Sequence, residues 1–82
     1  MIVRLKPSAE KDLRKLPVLV QERIMRKLEF YARAAEPLRF AKPLRDCRLG
    51  HYRFRIGDYR ALFDVIDGTI LILVVEHRKD AY

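Results

Sequence analysis

Three arginines crowd around a Gly-Asp dipeptide in the stretch Tyr52-Arg53-Phe54-Arg55-Ile56-Gly57-Asp58-Tyr59-Arg60. Arginine keeps its proton and presents a planar fork of donors that matches phosphate oxygens, so a cluster of them can bind phosphate and stabilise charge that develops on it. The same property makes arginine a poor general base. Cleaving RNA through its own 2′-hydroxyl requires loss of that proton, stabilisation of a crowded phosphorane and protonation of the departing 5′-oxygen. The arginines supply the second of these. The closing segment Glu76-His77-Arg78-Lys79-Asp80-Ala81-Tyr82 offers candidates for the rest. Glu76 and His77 can exchange a proton, Arg78 can add charge and Tyr82 can stack on a base. Each also has an ordinary reading: an exposed histidine, a carboxylate neutralising an arginine, an aromatic plugging the core.

These residues need a sheet to bring them together. From Tyr52 onward the apolar residues recur with period two, and Gly57-Asp58 suits a two-residue hairpin turn with glycine first. That loop pairs Ile56 with Tyr59, Arg55 with Arg60, Phe54 with Ala61 and Arg53 with Leu62. Tyr52, Phe54, Ile56, Tyr59, Ala61, Phe63 and Val65 then share an apolar face, and Arg53, Arg55 and Arg60 share the other. Opposed like charges destabilise a strand pair, on a scale of roughly 0.2–1 kcal/mol. Three arginines on one face, two of them opposed, therefore point to an anion site rather than to scattered solubilising charge. Asp67-Gly68 marks a second hairpin with two possible registers. A two-residue loop pairs Ile66 with Thr69 and puts His77 on the face of Arg60. A three-residue loop pairs Val65 with Thr69 and puts Glu76 and Arg78 there. The second is favoured because it adds Arg78 to the cluster, while a bulge could expose both sets.

Upstream, Val3 and Leu5 alternate with Arg4 and Lys6 as in a short half-buried strand, which Pro7-Ser8 ends. Ser8 reads as the N-cap of a helix carrying Ala9, Leu13 and Leu16, closed by Pro17. A longer helix follows, with Val20, Ile24, Leu28, Tyr31 and Ala35 in one apolar stripe and its charges largely on a solvated face. Glu36 to Gly50, with Pro37, Pro43 and Gly50, reads as a connecting loop. The expected fold is α+β: a small, mostly antiparallel four-stranded sheet with an N-terminal helical hairpin on one face and the other face open.

The 82 residues allow one domain, residues 1–82, with a modest core. Eighteen Lys and Arg against eleven Asp and Glu give a net charge of +7, which favours a polyanionic partner. The excess is densest over residues 39–60, with seven basic and two acidic residues. Lys42, Arg45 and Arg48 in that stretch are candidate RNA contacts. One cysteine, Cys47, excludes an internal disulfide and a paired-cysteine zinc site. No metal or other cofactor is expected. Early charges at the N-terminus and the shortness of Thr69-Ile70-Leu71-Ile72-Leu73-Val74-Val75 argue against a signal peptide or membrane helix, so a cytoplasmic protein is expected.

The start Ser8-Ala9-Glu10-Lys11-Asp12-Leu13-Arg14-Lys15-Leu16-Pro17, the loop Lys42-Pro43-Leu44-Arg45-Asp46, the arginine hairpin and the ending His77-Arg78-Lys79-Asp80-Ala81-Tyr82 together resemble the RelE/ParE toxin family of type II toxin-antitoxin systems. The resemblance spans nearly the whole chain. It implies a strand, two-helix, three-strand toxin domain and, for RelE-type members, an endoribonuclease that cuts mRNA in the ribosomal A site. It implies catalytic roles for Arg53, Arg55, Arg60, Arg78 and Tyr82. RelE itself carries lysines, one of them thought to be the base, where Arg53 and Arg55 stand. Related toxins use a histidine near the C-terminus, so His77 becomes the candidate for proton transfer, with Glu76 behind it. A cognate antitoxin, acidic and RelB-like, is the implied partner, together with mRNA and the ribosome. ParE-type members share the fold but poison DNA gyrase, which is the competing function. A basic binding module without activity is the third.

Overall fold

In the computed structural model, which describes residues 1–45 and 47–81, the chain runs β1 (Ile2–Leu5), α1 (Pro7–Arg14), α2 (Val18–Arg33), β2 (Ala41–Pro43), β3 (Tyr52–Ile56), β4 (Tyr59–Ile66) and β5 (Thr69–His77). Short 3-10 turns at Pro37–Phe40 and Cys47–Leu49 flank β2, and a third, Arg78–Ala81, follows β5. The strands form one sheet in the order β1-β5-β4-β3-β2. All pairs are antiparallel except β1 with β5, which is parallel. The α+β class is as expected, but the sheet has five strands rather than four. The extra one, β2, lies in the segment read as a loop. It is three residues long, too short to show alternation, and ends in Pro43, which is tolerated because β2 is an edge strand.

The helices cover one face. Pro7 stands at the first helical turn of α1, where its missing N–H costs nothing. The cap position is Lys6, without a side-chain cap. Ser8 is thus inside the helix and is not the N-cap. Its hydroxyl instead donates to the Leu73 carbonyl at 2.7 Å. In α2, Ile24, Leu28, Tyr31 and Ala32 are buried. The helix stops at Arg33, so Ala35, expected to continue the stripe, is exposed. Against these residues pack Phe54, Ala61, Phe63, Ile70 and Ile72, all fully buried, with the Phe54 and Phe63 rings stacked at 4.3 Å. Each large apolar side chain buried this way contributes about 1.5–3 kcal/mol. The opposite face is not wholly open: Leu62, flanked in register by Arg53 and Val74, is 1% exposed.

Both hairpins have two-residue loops. Gly57 takes φ 59°, as the first position of a II′ turn requires, and Asp67 and Gly68 take φ 49° and 73°, as in a I′ turn. Ile66 pairs with Thr69, so the three-residue loop is not formed. A two-residue loop alone would carry His77 to the face of Arg60. A β-bulge prevents this. Leu62 pairs with Val74 but Phe63 pairs with Ile72, which leaves Leu73 as the extra residue and flips the side-chain parity. Glu76 then opposes Arg60, and His77 opposes Tyr59. Helix α1 binds the backbone groups beside this bulge: Ser8 takes the Leu73 carbonyl, and Asp12 Oδ2 accepts the Val75 N–H at 3.0 Å.

Candidate functional site

The β3–β4 pairing is the one the Gly57-Asp58 loop predicts, with Arg55 opposite Arg60 and Arg53 opposite Leu62. The edge strand β2 adds Lys42 opposite Arg53. At the other flank, the 3-10 turn after β5 is drawn toward the β3–β4 turn. The Arg78 N–H donates to the Asp58 carbonyl at 2.8 Å, and Arg78 Nε lies 4.0 Å from Asp58 Oδ1. Between the two flanks opens a cleft of about 430 Å³ lined by Lys42, Arg53, Arg55, Arg60, Arg78 and Lys79, with Phe40 and Tyr59 in its walls. Six cations meet there, and no carboxylate is among the described residues that line it. Like charges held together in this way repel, and an anion entering the cleft relieves that repulsion.

Arg60 is the most tightly held. Its side chain is 22% exposed, and its Nε donates to Glu76 Oε1 at 2.5 Å, the Glu76 side chain being 20% exposed. Glu76 thereby holds the guanidinium through Nε, and among the described residues the terminal nitrogens make no hydrogen bond, a geometry able to take a phosphate oxygen pair. Beneath β3, the Tyr31 hydroxyl donates to the Arg55 carbonyl at 3.4 Å. Burial pushes the Tyr31 phenol above its usual 10.0. Phe40, 45% exposed, stacks on Tyr31 at 4.9 Å and so supports the cleft wall.

The residues expected to act together separate into two groups. Arg53, Arg55, Arg60, Arg78 and Lys42 converge on the cleft. His77 does not line it. Its ring sits edge-on to Tyr59 at 5.0 Å, and its Nδ1 accepts the Lys79 N–H at 3.1 Å. The histidine therefore braces the turn that carries Arg78 and Lys79. Arg45 and Arg48 are exposed in the connection between β2 and β3, outside the cleft lining. Tyr82 lies outside the described residues. Two lining residues escaped the sequence reading, Lys79 and Phe40. Lys79 adjoins Arg78, which was a usable signal; Phe40 gave none, because its position depends on the unanticipated β2.

The family model for the ParE toxin of the type II toxin-antitoxin system parDE matches residues 3–82. Toxin RelG of Mycobacterium tuberculosis is 39% identical over 82 residues, covering 98% of this chain and 93% of that protein. Among solved structures, the toxin-antitoxin complex RelBE2 of M. tuberculosis matches with a TM-score of 0.76 at 38% identity, over 94% of this chain and 96% of that one. The RelB-RelE complex of Methanococcus jannaschii matches with a TM-score of 0.67 at 26% identity, over 95% and 93%. The intact RelBE complex of E. coli, at 21% identity and a TM-score of 0.69 over 93% and 94%, shares the fold. With nearly its full length matched by the family model and by a curated toxin, the chain belongs to the RelE/ParE family of toxins of type II toxin-antitoxin systems.

Proposed function

We propose that this toxin is a RelE-like, ribosome-dependent mRNA endoribonuclease of the cytoplasm that inhibits translation. The observation that carries the reading is the cleft of four arginines and two lysines. Arg53, Arg55 and Arg60 hold the scissile phosphate, and Arg78 stabilises the charge of the phosphorane. The RNA's own 2′-oxygen attacks phosphorus, the bond to the 5′-oxygen breaks, and the products are a 2′,3′-cyclic phosphate and a 5′-hydroxyl. One proton leaves the 2′-hydroxyl and one must reach the 5′-oxygen. Guanidinium groups serve neither step well. Lys42, from the edge strand, and Lys79, from the turn after β5, flank the arginine row on opposite sides. They are the lining groups best able to trade protons, and an in-line displacement needs such groups on both sides. His77 acts by holding the Lys79 backbone, and Tyr82 stacks on a base.

The related toxins of known structure are seen in complexes with antitoxins. An acidic, RelB-like antitoxin is accordingly the expected partner for a chain of net charge +7. The matching family model is described by a ParE toxin, which keeps gyrase poisoning as the competing activity. Induction in cells with mapping of mRNA 5′ ends separates the two. Codon-phased cuts in the wild type that vanish in Arg60→Ala and Arg78→Ala support the nuclease. DNA damage with intact mRNA refutes it in favour of gyrase.

A further inference from the structure

Outside the cleft, a second polar constellation lies on the same side of the sheet. Asp64 shares the parity of Arg60 and Leu62 along β4, the face turned away from the helices. Its Oδ1 accepts the His51 backbone N–H at 2.7 Å and lies 2.6 Å from His51 Nδ1. Neither residue entered the sequence reading. Gly50 makes the placement possible. It has φ 125°, and a Cβ there would stand 3.1 Å from the Phe63 carbonyl, so only glycine lets the chain pass close enough to β4 to lay His51 beside Asp64.

The bond from the backbone N–H already fastens this bend, so the ring contact is an addition that the turn does not require. In the neutral imidazole it assigns the proton to Nδ1 and leaves the lone pair on Nε2. The ring is not buried by the contact: the His51 side chain remains 60% exposed, against 28% for Asp64. Asp64 is two residues beyond Leu62, about 7 Å along the strand, and Leu62 is the residue opposite Arg53. Between the cationic cleft and the oriented imidazole the sheet therefore presents a short uncharged step. A carboxylate beside the ring disfavours a second phosphate at this spot. An acceptor nitrogen and an aromatic face both suit a nucleobase.

We propose that His51, held by Asp64, is a nucleobase subsite that receives the RNA residue adjoining the scissile phosphate, an inference that rests on the endoribonuclease reading. Histidine side-chain resonances are followed by NMR while the folded protein is titrated with a short 2′-deoxy-substituted, uncleavable oligonucleotide and, separately, with inorganic phosphate. The oligonucleotide shifts the His51 imidazole and the arginine Nε–H signals, whereas phosphate shifts the arginines alone. His51→Ala weakens oligonucleotide binding roughly fivefold or more, as loss of one base contact does, and redistributes the cut sites along an mRNA. Asp64→Asn, which retains an acceptor for the His51 backbone, weakens binding by less than His51→Ala. An oligonucleotide that moves the arginine signals while the His51 ring stays unchanged overturns the subsite and leaves the nuclease standing. Failure of both sets to move overturns both.

Discussion

Asp12→Ala tests whether helix α1 governs the bulge in β5. The substitution removes the acceptor for the Val75 N–H, bonded at 3.0 Å. Val75 is only 5% exposed, so water reaches the freed group poorly. Leaving a buried donor unpaired costs about 1–3 kcal/mol, and the better helix propensity of alanine returns about 0.5 kcal/mol. The net loss is about 1.5 kcal/mol, which for a domain of this size lowers Tm by about 6–12 °C. Ser8→Ala removes the neighbouring bond to the Leu73 carbonyl, but that bond is exposed and water replaces it, so the loss is under about 0.5 kcal/mol. Urea and thermal unfolding of the two variants measure both. A cycle with Glu76→Ala adds the functional link: if the bulge sets the Arg60–Glu76 pair, the two substitutions couple by about 0.5 kcal/mol or more. An Asp12→Ala protein as stable as the wild type, or a Ser8→Ala protein less stable than Asp12→Ala, refutes the assignment.

Three further outcomes are expected. Gly50→Ala forces a Cβ to 3.1 Å from the Phe63 carbonyl at φ 125° and costs about 2 kcal/mol, read as a lowered urea midpoint. Because burial raises the Tyr31 phenol above 10.0, the unfolded chain releases that proton first. The Tyr31 contribution to stability is thus intact below pH 10.0 and is lost as pH rises through the folded value; in Tyr31→Phe the alkaline decline measured by denaturation is shallower. If all six cleft cations meet RNA phosphates, the log of the affinity for single strands falls with log salt at a slope of about −4, and Arg53→Ala reduces that slope by about 0.7. A slope near zero by fluorescence anisotropy contradicts the cleft as the binding surface.

The arginine hairpin was legible because two local signals agreed. A period-two pattern and a Gly-first turn fix the same register, and that register alone opposes Arg55 to Arg60. The last hairpin was legible in part: Glu76 stands on the face of Arg60 as the favoured register had it, but it does so through a two-residue loop and a bulge whose supports, Ser8 and Asp12, lie more than sixty residues away in sequence. Local patterns carry no trace of such a contact, and Ser8 before an apolar helix face mimics a cap. β2 was hidden by Pro43, a residue that reads as a breaker unless the strand is known to lie at an edge. The placement of His77 followed from the same bulge. The family resemblance suggests it for proton transfer, but adjacent strand residues point to opposite faces, so with Glu76 opposite Arg60, His77 falls opposite Tyr59.

The position of β5 bears on how the toxin comes into being. Among the described strands it is the last in chain order, yet it stands between β1 and β4 in the sheet. Until residues 69–77 have been synthesised, β1 has no neighbour to bond, and the helices lack Ile70, Ile72 and Val75 to close upon. Arg78 and Lys79 come later still. A nascent or truncated chain can therefore form the arginine hairpin but cannot form the domain that gives it a fixed shape, and long-range pairing of this kind is slow to assemble. The cell making this protein meets a folded toxin only after β5 has been synthesised, and an agent that captures β5 before it inserts would disarm the molecule without touching a single arginine.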